Sequence, residues 1–128
     1  MLKKTISSGT SWENNFGYSR DIIIGSSIYI AGTTSVDLSG KIIGISNPYE
    51  QTKYILSKIK KILEENGFDI QDVIRTRIFV TNITFSNDIG KAHFECFKKG
   101  LPVSTMIEIN KLIDLKLLVE IEAERIKT

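Results

Sequence analysis

Residues 72–81 read Asp-Val-Ile-Arg-Thr-Arg-Ile-Phe-Val-Thr. The β-branched and aromatic side chains of this stretch predict a β-strand over Val73–Thr81. Alternate residues of a strand point to opposite sides. One side is apolar and suits a layer of helices; its residues are Ile74, Ile78 and Val80. The other side mixes apolar and cationic groups; its residues are Val73, Arg75, Arg77 and Phe79.

An amphipathic helix precedes this strand. Asn47 is a typical cap, Pro48 suits the first helical position, and Glu50 follows three residues after the cap. Asn66-Gly67 predicts the end of the helix. Helical spacing places five apolar residues on one face: Ile55, Leu56, Ile59, Ile62 and Leu63.

The other elements follow from the same patterns. Residues 1–17 are predicted to form an irregular arm. Further segments are a hairpin of Ser19–Ile24 and Ser27–Ala31, a helix from Thr84 or Ser86 to Lys99, and strands over Val103–Ile109 and Leu117–Ile126. The order ββαβαββ predicts one α+β domain over residues 1–128. Two helices cover only one face of such a sheet, so its other face must meet solvent or another subunit.

Composition excludes several classes of protein. The 128 residues carry a net charge of +2, too small to indicate nucleic-acid or membrane binding. Cys96 and His93 are the only cysteine and histidine, which excludes an intrachain disulfide and argues against a zinc site. No cofactor or metal is expected. Without an apolar leader or a spanning stretch of about 20 residues, the expected location is the cytoplasm.

Several segments together resemble the Rid family, also called YjgF or L-PSP. They are Gly17-Tyr18, Ile30-Ala31-Gly32, the helix 51–67, the strand 72–81, Leu101-Pro102 and the closing stretch Val119–Ala123. The resemblance implies a chorismate-mutase-like fold packed as a homotrimer, with the sheets forming a central barrel and a cleft between each pair of subunits. In the best-known branch these clefts hydrolyse enamines and imines derived from amino acids.

The resemblance also implies site residues. Tyr18 and Gly32 match cleft positions, and Glu120 matches the glutamate that positions or activates water. The arginine that clamps the substrate carboxylate should follow Pro102 by two residues, where this chain has Ser104. Three further positions depart from the active branch, namely Ala31, Gly90 and Met106. Imine deaminase activity therefore does not follow from the resemblance alone.

Strand alternation predicts that Ser104, Met106 and Glu108 point away from the helices, toward the cleft. Ser104 and Met106 are candidate ligand-binding residues there. Arg77 either supplies the missing cation for a carboxylate ligand or forms an ion pair between subunits with Glu108 or Glu120. His93 is either a partly exposed helix residue or a general acid or base.

Three functions remain open at this level. The cleft either hydrolyses a small enamine, imine or carbonyl compound, or binds such a metabolite without catalysis. A third possibility is an endoribonuclease or translation inhibitor, since part of the family carries those labels. RNA binding is disfavoured by the low net charge and by the lack of a second histidine.

Overall fold

The computed structural model describes residues 2–126 as one mixed sheet with helices. The strands are β1 (Lys3–Ile6), β2 (Asp21–Ile24), β3 (Ser27–Thr34), β4 (Arg75–Val80), β5 (Val103–Glu108) and β6 (Val119–Arg125). The α-helices are α1 (Ser11–Phe16), α2 (Pro48–Glu65) and α3 (Ser86–Phe97), and short 3₁₀ turns span Ile70–Asp72 and Ile83–Phe85. From β2 onward the order is the predicted ββαβαββ, which confirms the α+β class.

The six strands lie in the order β1-β2-β3-β6-β4-β5. All neighbouring strands are antiparallel except β4 and β5, which run parallel because α3 connects them as a crossover. In the part of the chain that the structure describes, the sheet stays open and does not close into a barrel. A barrel therefore requires additional copies of the chain.

The N-terminal arm was expected to be irregular, and this expectation is wrong. Residues Lys3–Ile6 add a strand to β2, with Ile6 opposite Asp21. Helix α1 follows, and the carboxylate of its buried Glu13 accepts hydrogen bonds from Ser8 and Thr10 in the preceding turn. Hydrophobic periodicity did not predict β1 because this short edge strand has too few apolar residues. It did not predict α1 because the turn before this helix depends on side-chain hydrogen bonds.

The helix layer consists of α2 and α3. The side chain of Asn47 accepts a hydrogen bond from the Glu50 amide at 3.0 Å, which confirms the predicted cap. Gly67 ends α2 with a positive φ of 80°, a conformation that favours glycine. Four of the five predicted apolar residues of α2 are fully buried and Ile62 packs against the same core. The inner face of α3 buries Ile89, Ala92 and Phe97.

A buried amide ties the helix layer to the sheet. Gln51 has no exposed surface, and its Nε2 donates to the carbonyl oxygens of Gly44 and Lys116 at 3.2 and 2.9 Å. Its Oε1 accepts from the Leu118 amide at 2.9 Å. Because Leu118 directly precedes β6, these bonds position the start of the strand that carries Glu120.

Alternation in β4 is as predicted between Arg75 and Val80, where Thr76, Ile78 and Val80 are buried beneath the helices. The prediction fails at the start of the segment. Val73 is buried in the core, whereas Ile74 is 38% exposed. The reason is the 3₁₀ turn Ile70–Asp72, which Val73 caps and which breaks the two-residue period before β4 begins.

Strands β3, β4, β5 and β6 also form a second face of the sheet, which α2 and α3 do not cover. We call it the open face. Directly paired residues share a side of the sheet. The open face carries Tyr29, Arg75, Arg77, Phe79, Val103, Thr105, Ile107, Glu120, Glu122 and Glu124. Tyr29, Val103 and Ile107 are 42%, 60% and 49% exposed. Apolar side chains at such exposure are typical of a surface that a partner covers.

Within residues 2–126, each helix is too short or too polar to span a bilayer. The same residues contain no group of three or more histidine, cysteine, aspartate or glutamate side chains placed to hold a metal ion.

Asp21 is buried without a hydrogen-bond partner among the described residues. It is 1% exposed, and neither carboxylate oxygen is paired. Burial raises its pKa from 3.8 to about 6, although the charge of nearby Arg20 lowers it in part. The charged form of Asp21 therefore destabilises the folded protein.

We expect the free energy of unfolding to fall as the pH rises from about 4 to about 6, because over this range Asp21 has lost its proton in the unfolded chain but still holds it when buried. The raised pKa corresponds to at most about 3 kcal/mol between pH 4 and pH 8. Urea denaturation at several pH values measures this dependence. Asp21→Asn should flatten it between about pH 4 and pH 6.

The control is Glu13→Gln. Burial raises the pKa of Glu13, but hydrogen bonds from Ser8, Ser7 and Thr10 outweigh this effect and lower it to about 2. Its contribution is lost only as the pH falls below about 4.5, so this variant should keep the wild-type slope above pH 5. An equal slope in wild type and Asp21→Asn would contradict the assignment.

Candidate functional site

Glu120 lies on the open face, folded over the backbone of Gly32. A Cβ built on Gly32 would stand 2.0 Å from Glu120 Oε1 and 2.8 Å from its Cδ. The register between β3 and β6 shifts between Ile30 and Thr33, so a β-bulge places Gly32 beneath the carboxylate. The absence of a side chain at Gly32 therefore makes the space that Glu120 occupies.

The Glu120 carboxyl is half-buried, and its pKa is raised mainly by that burial. The positive charge of Arg20 lowers the pKa of Glu120 and the negative charge of Glu122 raises it. A carboxyl in this state can hold a proton or accept one near neutral pH more readily than a solvated glutamate.

Arg20 stands near this carboxyl, and Tyr18 lies beside Arg20. The Arg20 guanidinium carbon lies 5.8 Å from the centre of the Tyr18 ring, and Tyr18 is 42% exposed. Arg20 forms no salt bridge with any described residue, and its Nε is buried without a partner. We call Tyr18, Arg20, Gly32 and Glu120 the glutamate half-site. The sequence patterns did not single out Arg20, because only the fold brings it near Glu120.

Ser104 and Met106 point toward the helices, contrary to prediction. They pair with the buried residues Thr76 and Ile78 in the parallel β4–β5 ladder, and Met106 packs against the core. Glu108 shares this side and accepts a hydrogen bond from the Ile83 amide at 2.8 Å. The two-residue alternation correctly predicted which residues of β5 share a side of the strand. Only the pairing with β4 decides which of the two sides faces the helices.

Ser104 belongs to a hydrogen-bonded cluster with Thr76 of β4 and His93 of α3. Thr76 Oγ1 lies 2.7 Å from Ser104 Oγ and 2.9 Å from His93 Nε2. Thr76 is fully buried, His93 is half-buried, and Ser104 is exposed. Burial lowers the pKa of His93, which favours the neutral form of its imidazole. We call these three residues, together with Met106, the serine half-site.

Arg77 belongs to neither half-site. Its Nη1 lies 2.9 Å from Glu124 and 3.4 Å from Glu122, both on the neighbouring strand of the same chain. These carboxylates raise the pKa of Arg77 and partly neutralise its charge. The sequence had predicted other partners for Arg77. One alternative was the carboxylate of a ligand, and the other was Glu108 or Glu120 of another subunit. The cross-strand pairing with β6 explains the observed partners.

The two half-sites lie on opposite faces of one sheet, so a single copy of the chain does not bring Glu120 and Ser104 together. A groove of about 430 Å³ exists elsewhere, on the outer surface of the helix layer, and its lining includes Lys60, Gln71 and Cys96. It contains none of the predicted site residues.

Comparison with known proteins places this fold in a defined class. The crystal structure of Rv2704 from Mycobacterium tuberculosis, a member of the YjgF/YER057c/UK114 family, matches with a TM-score of 0.86 and 37% identity, covering 97% of this chain and 98% of that one. SCO2049 of Streptomyces coelicolor, an uncharacterized protein, is 34% identical over 121 residues, which are 94% of this chain and 90% of that protein.

A RutC family protein of Pyrococcus abyssi is 29% identical over 106 residues, 83% of each chain. The family model described as endoribonuclease L-PSP matches residues 10–125. The chain therefore belongs to the Rid family, also called YjgF or L-PSP.

We expect Gly32→Ala to displace the Glu120 carboxyl toward solvent, because its methyl group would occupy the same space. The raised pKa of Glu120 should then fall toward that of an ordinary glutamate. The measurement is a ¹³C NMR titration of the Glu120 carboxyl in both proteins.

Gly90→Ala is the matched control, since a Cβ at Gly90 meets nothing within 4 Å. This variant should leave the Glu120 titration unchanged and should stabilise α3 slightly. If Gly32→Ala also left the Glu120 pKa unchanged, the packing of this carboxyl over Gly32 would be refuted.

Proposed function

We propose that the chain assembles as a homotrimer whose inter-subunit clefts bind small carbonyl, imine or enamine compounds and catalyse the addition of water to them. The observation that carries this proposal is the half-buried Glu120 carboxyl folded over Gly32 on a sheet face that no helix covers.

The distribution of surfaces supports assembly. Apolar side chains of the open face, such as Tyr29, Val103 and Ile107, lose contact with water only if a second copy covers them. The two half-sites point in opposite directions, and a cyclic arrangement can bring the glutamate half-site of one copy toward the serine half-site of the next. Family membership agrees with this arrangement.

The chemistry of the two half-sites supports a small polar ligand. Glu120 can position a water molecule by accepting a hydrogen bond from it, and Arg20 supplies a nearby positive charge. Ser104 offers an exposed hydroxyl that donates or accepts hydrogen bonds. These groups suit a carbonyl or imine carbon that reacts with water, the reaction class that the family resemblance implies.

The assembly is tested with Tyr29→Asp, which places a charge on the open face. We expect the wild-type protein to sediment at three times the chain mass of 14.4 kDa and the variant to sediment as a smaller species. Ser57→Asp adds the same charge on the exposed side of α2 and should leave the assembly intact. A wild-type protein that remained monomeric at all concentrations would overturn the proposal.

Catalysis is tested by ammonia release from enzymatically generated 2-aminoacrylate. We expect Glu120→Gln to lower the rate about a hundredfold, because a neutral amide holds the attacking water less strongly than a carboxylate does. Glu64→Gln, which alters only a pair with Lys60 on the surface of α2, should retain full activity. If the wild-type protein released no ammonia but bound pyruvate in a titration, the cleft would be a binding site without this activity.

A further inference from the structure

The cluster of Thr76, His93 and Ser104 contains an unbroken hydrogen-bonded path from a half-buried imidazole to an exposed hydroxyl. The two distances along it are 2.9 Å and 2.7 Å, both within the range of good hydrogen bonds. Each residue comes from a different element, namely β4, α3 and β5. The path therefore exists only because the crossover helix α3 packs on the parallel strand pair.

We propose that Ser104, Thr76 and His93 form a proton relay in which His93 is the general base and Ser104 is the group that touches the substrate. This proposal rests on the proposed function, since it identifies the serine half-site as the second acid–base group of the same cleft. The substrate class is a small 2-keto compound or the corresponding imine.

The hydrogen-bond inventory of the cluster allows two arrangements. Thr76 carries a single hydroxyl hydrogen, so it donates either to Ser104 or to His93 Nε2. In the first case Nε2–H of His93 donates to Thr76. In the second, Ser104 donates to Thr76 and Thr76 donates to an unprotonated Nε2. The neutral imidazole acts as a base only in the second arrangement, with its hydrogen on Nδ1.

The surroundings of His93 favour the neutral base. Burial lowers its pKa, and the ring of Phe97 lies beside it with ring centres 4.6 Å apart. On β4 the charged residues Arg75 and Arg77 occupy the opposite face of the sheet, and on β5 Glu108 is bonded to the Ile83 amide. The charged residues of its own helix are Asp88, Lys91 and Glu95, and Glu95 accepts a hydrogen bond from Tyr49. The pKa of His93 is lowered by burial and not by any of these charges.

The proposed step is the addition of water to a carbonyl carbon. The water oxygen forms a bond to that carbon, and the π electron pair moves to the carbonyl oxygen. Glu120 holds the water by accepting a hydrogen bond from one of its hydrogens. The other water proton passes to Ser104 Oγ as the proton of Ser104 passes to Thr76 Oγ1 and that of Thr76 passes to His93 Nε2. The resulting imidazolium returns a proton along the same path to the carbonyl oxygen. The product is the hydrate, and the relay regains its starting state.

The relay is tested first by the tautomer of His93, which needs no substrate. His93 is the only histidine of the chain, so its ¹⁵N NMR signals are unambiguous. We expect the Nδ1–H tautomer in the wild-type protein and a mixture of tautomers in Thr76→Val. An Nε2–H tautomer in the wild-type protein would overturn the base role of His93, whatever the fate of the proposed function.

The second test uses pyruvate and measures the exchange between its keto and hydrate forms by NMR. We expect the wild-type protein to accelerate this exchange, with a pH dependence that follows the ¹⁵N titration of His93. His93→Gln, which retains hydrogen bonding but takes up no proton, should lower the acceleration about a hundredfold and abolish that pH dependence. Ser104→Ala should have the same effect.

Ser57→Ala is the control, because Ser57 is an exposed serine on α2 that donates to the Tyr54 carbonyl and lies outside both half-sites. Full acceleration in His93→Gln, or none in a trimeric wild-type protein, would overturn the relay. Loss of acceleration in Glu120→Gln with retention in His93→Gln would leave the proposed function standing and the relay refuted.

Discussion

A sheet has two faces, and the helices α2 and α3 cover only one of them. The covered face buries a continuous core in which the inward residues of β4 and β6 meet the apolar face of α2. The other face combines exposed apolar groups with paired charges, of which Arg77 and Glu124 are one example. This imbalance leaves apolar side chains of the open face in water, and removing such area from water is favourable.

The same imbalance explains why the candidate site is divided. Glu120 and Ser104 lie on strands of one sheet but project to opposite faces, so the two half-sites of one chain lie apart. Gln51 fixes the start of β6 through the Leu118 amide, and the bulge at Gly32 makes space for the carboxylate. Contacts within one chain thus determine the geometry of each half-site.

The charges of the site are not those that the residue pattern suggested. Arg77 attracted attention because a guanidinium on an uncovered strand suits a carboxylate ligand, but two glutamates of β6 already pair with it. Arg20 is the cation beside Glu120, and it precedes β2 at a position that no periodicity marks. In the serine half-site, the burial of His93 favours the neutral imidazole over the cation.

The sequence by itself determined the elements that depend on near neighbours along the chain. The cap at Asn47, the glycine end of α2, the apolar stripe of that helix and the alternation of β4 all follow from local periodicity and backbone preference. The family resemblance added Tyr18, Gly32 and Glu120, of which the structure brings Gly32 and Glu120 into contact.

Only the tertiary structure decided which face of β5 meets the helices, where β1 and α1 dock, and that His93 joins Thr76 and Ser104. Alternation divides the residues of a strand into two sets, but it does not show which set faces the helices. The pairing of Ser104 with Thr76 of β4 was needed to orient Ser104. The hydrogen bonds of that cluster join residues 17 and 28 positions apart. Such contacts depend on packing between elements, which no local pattern contains.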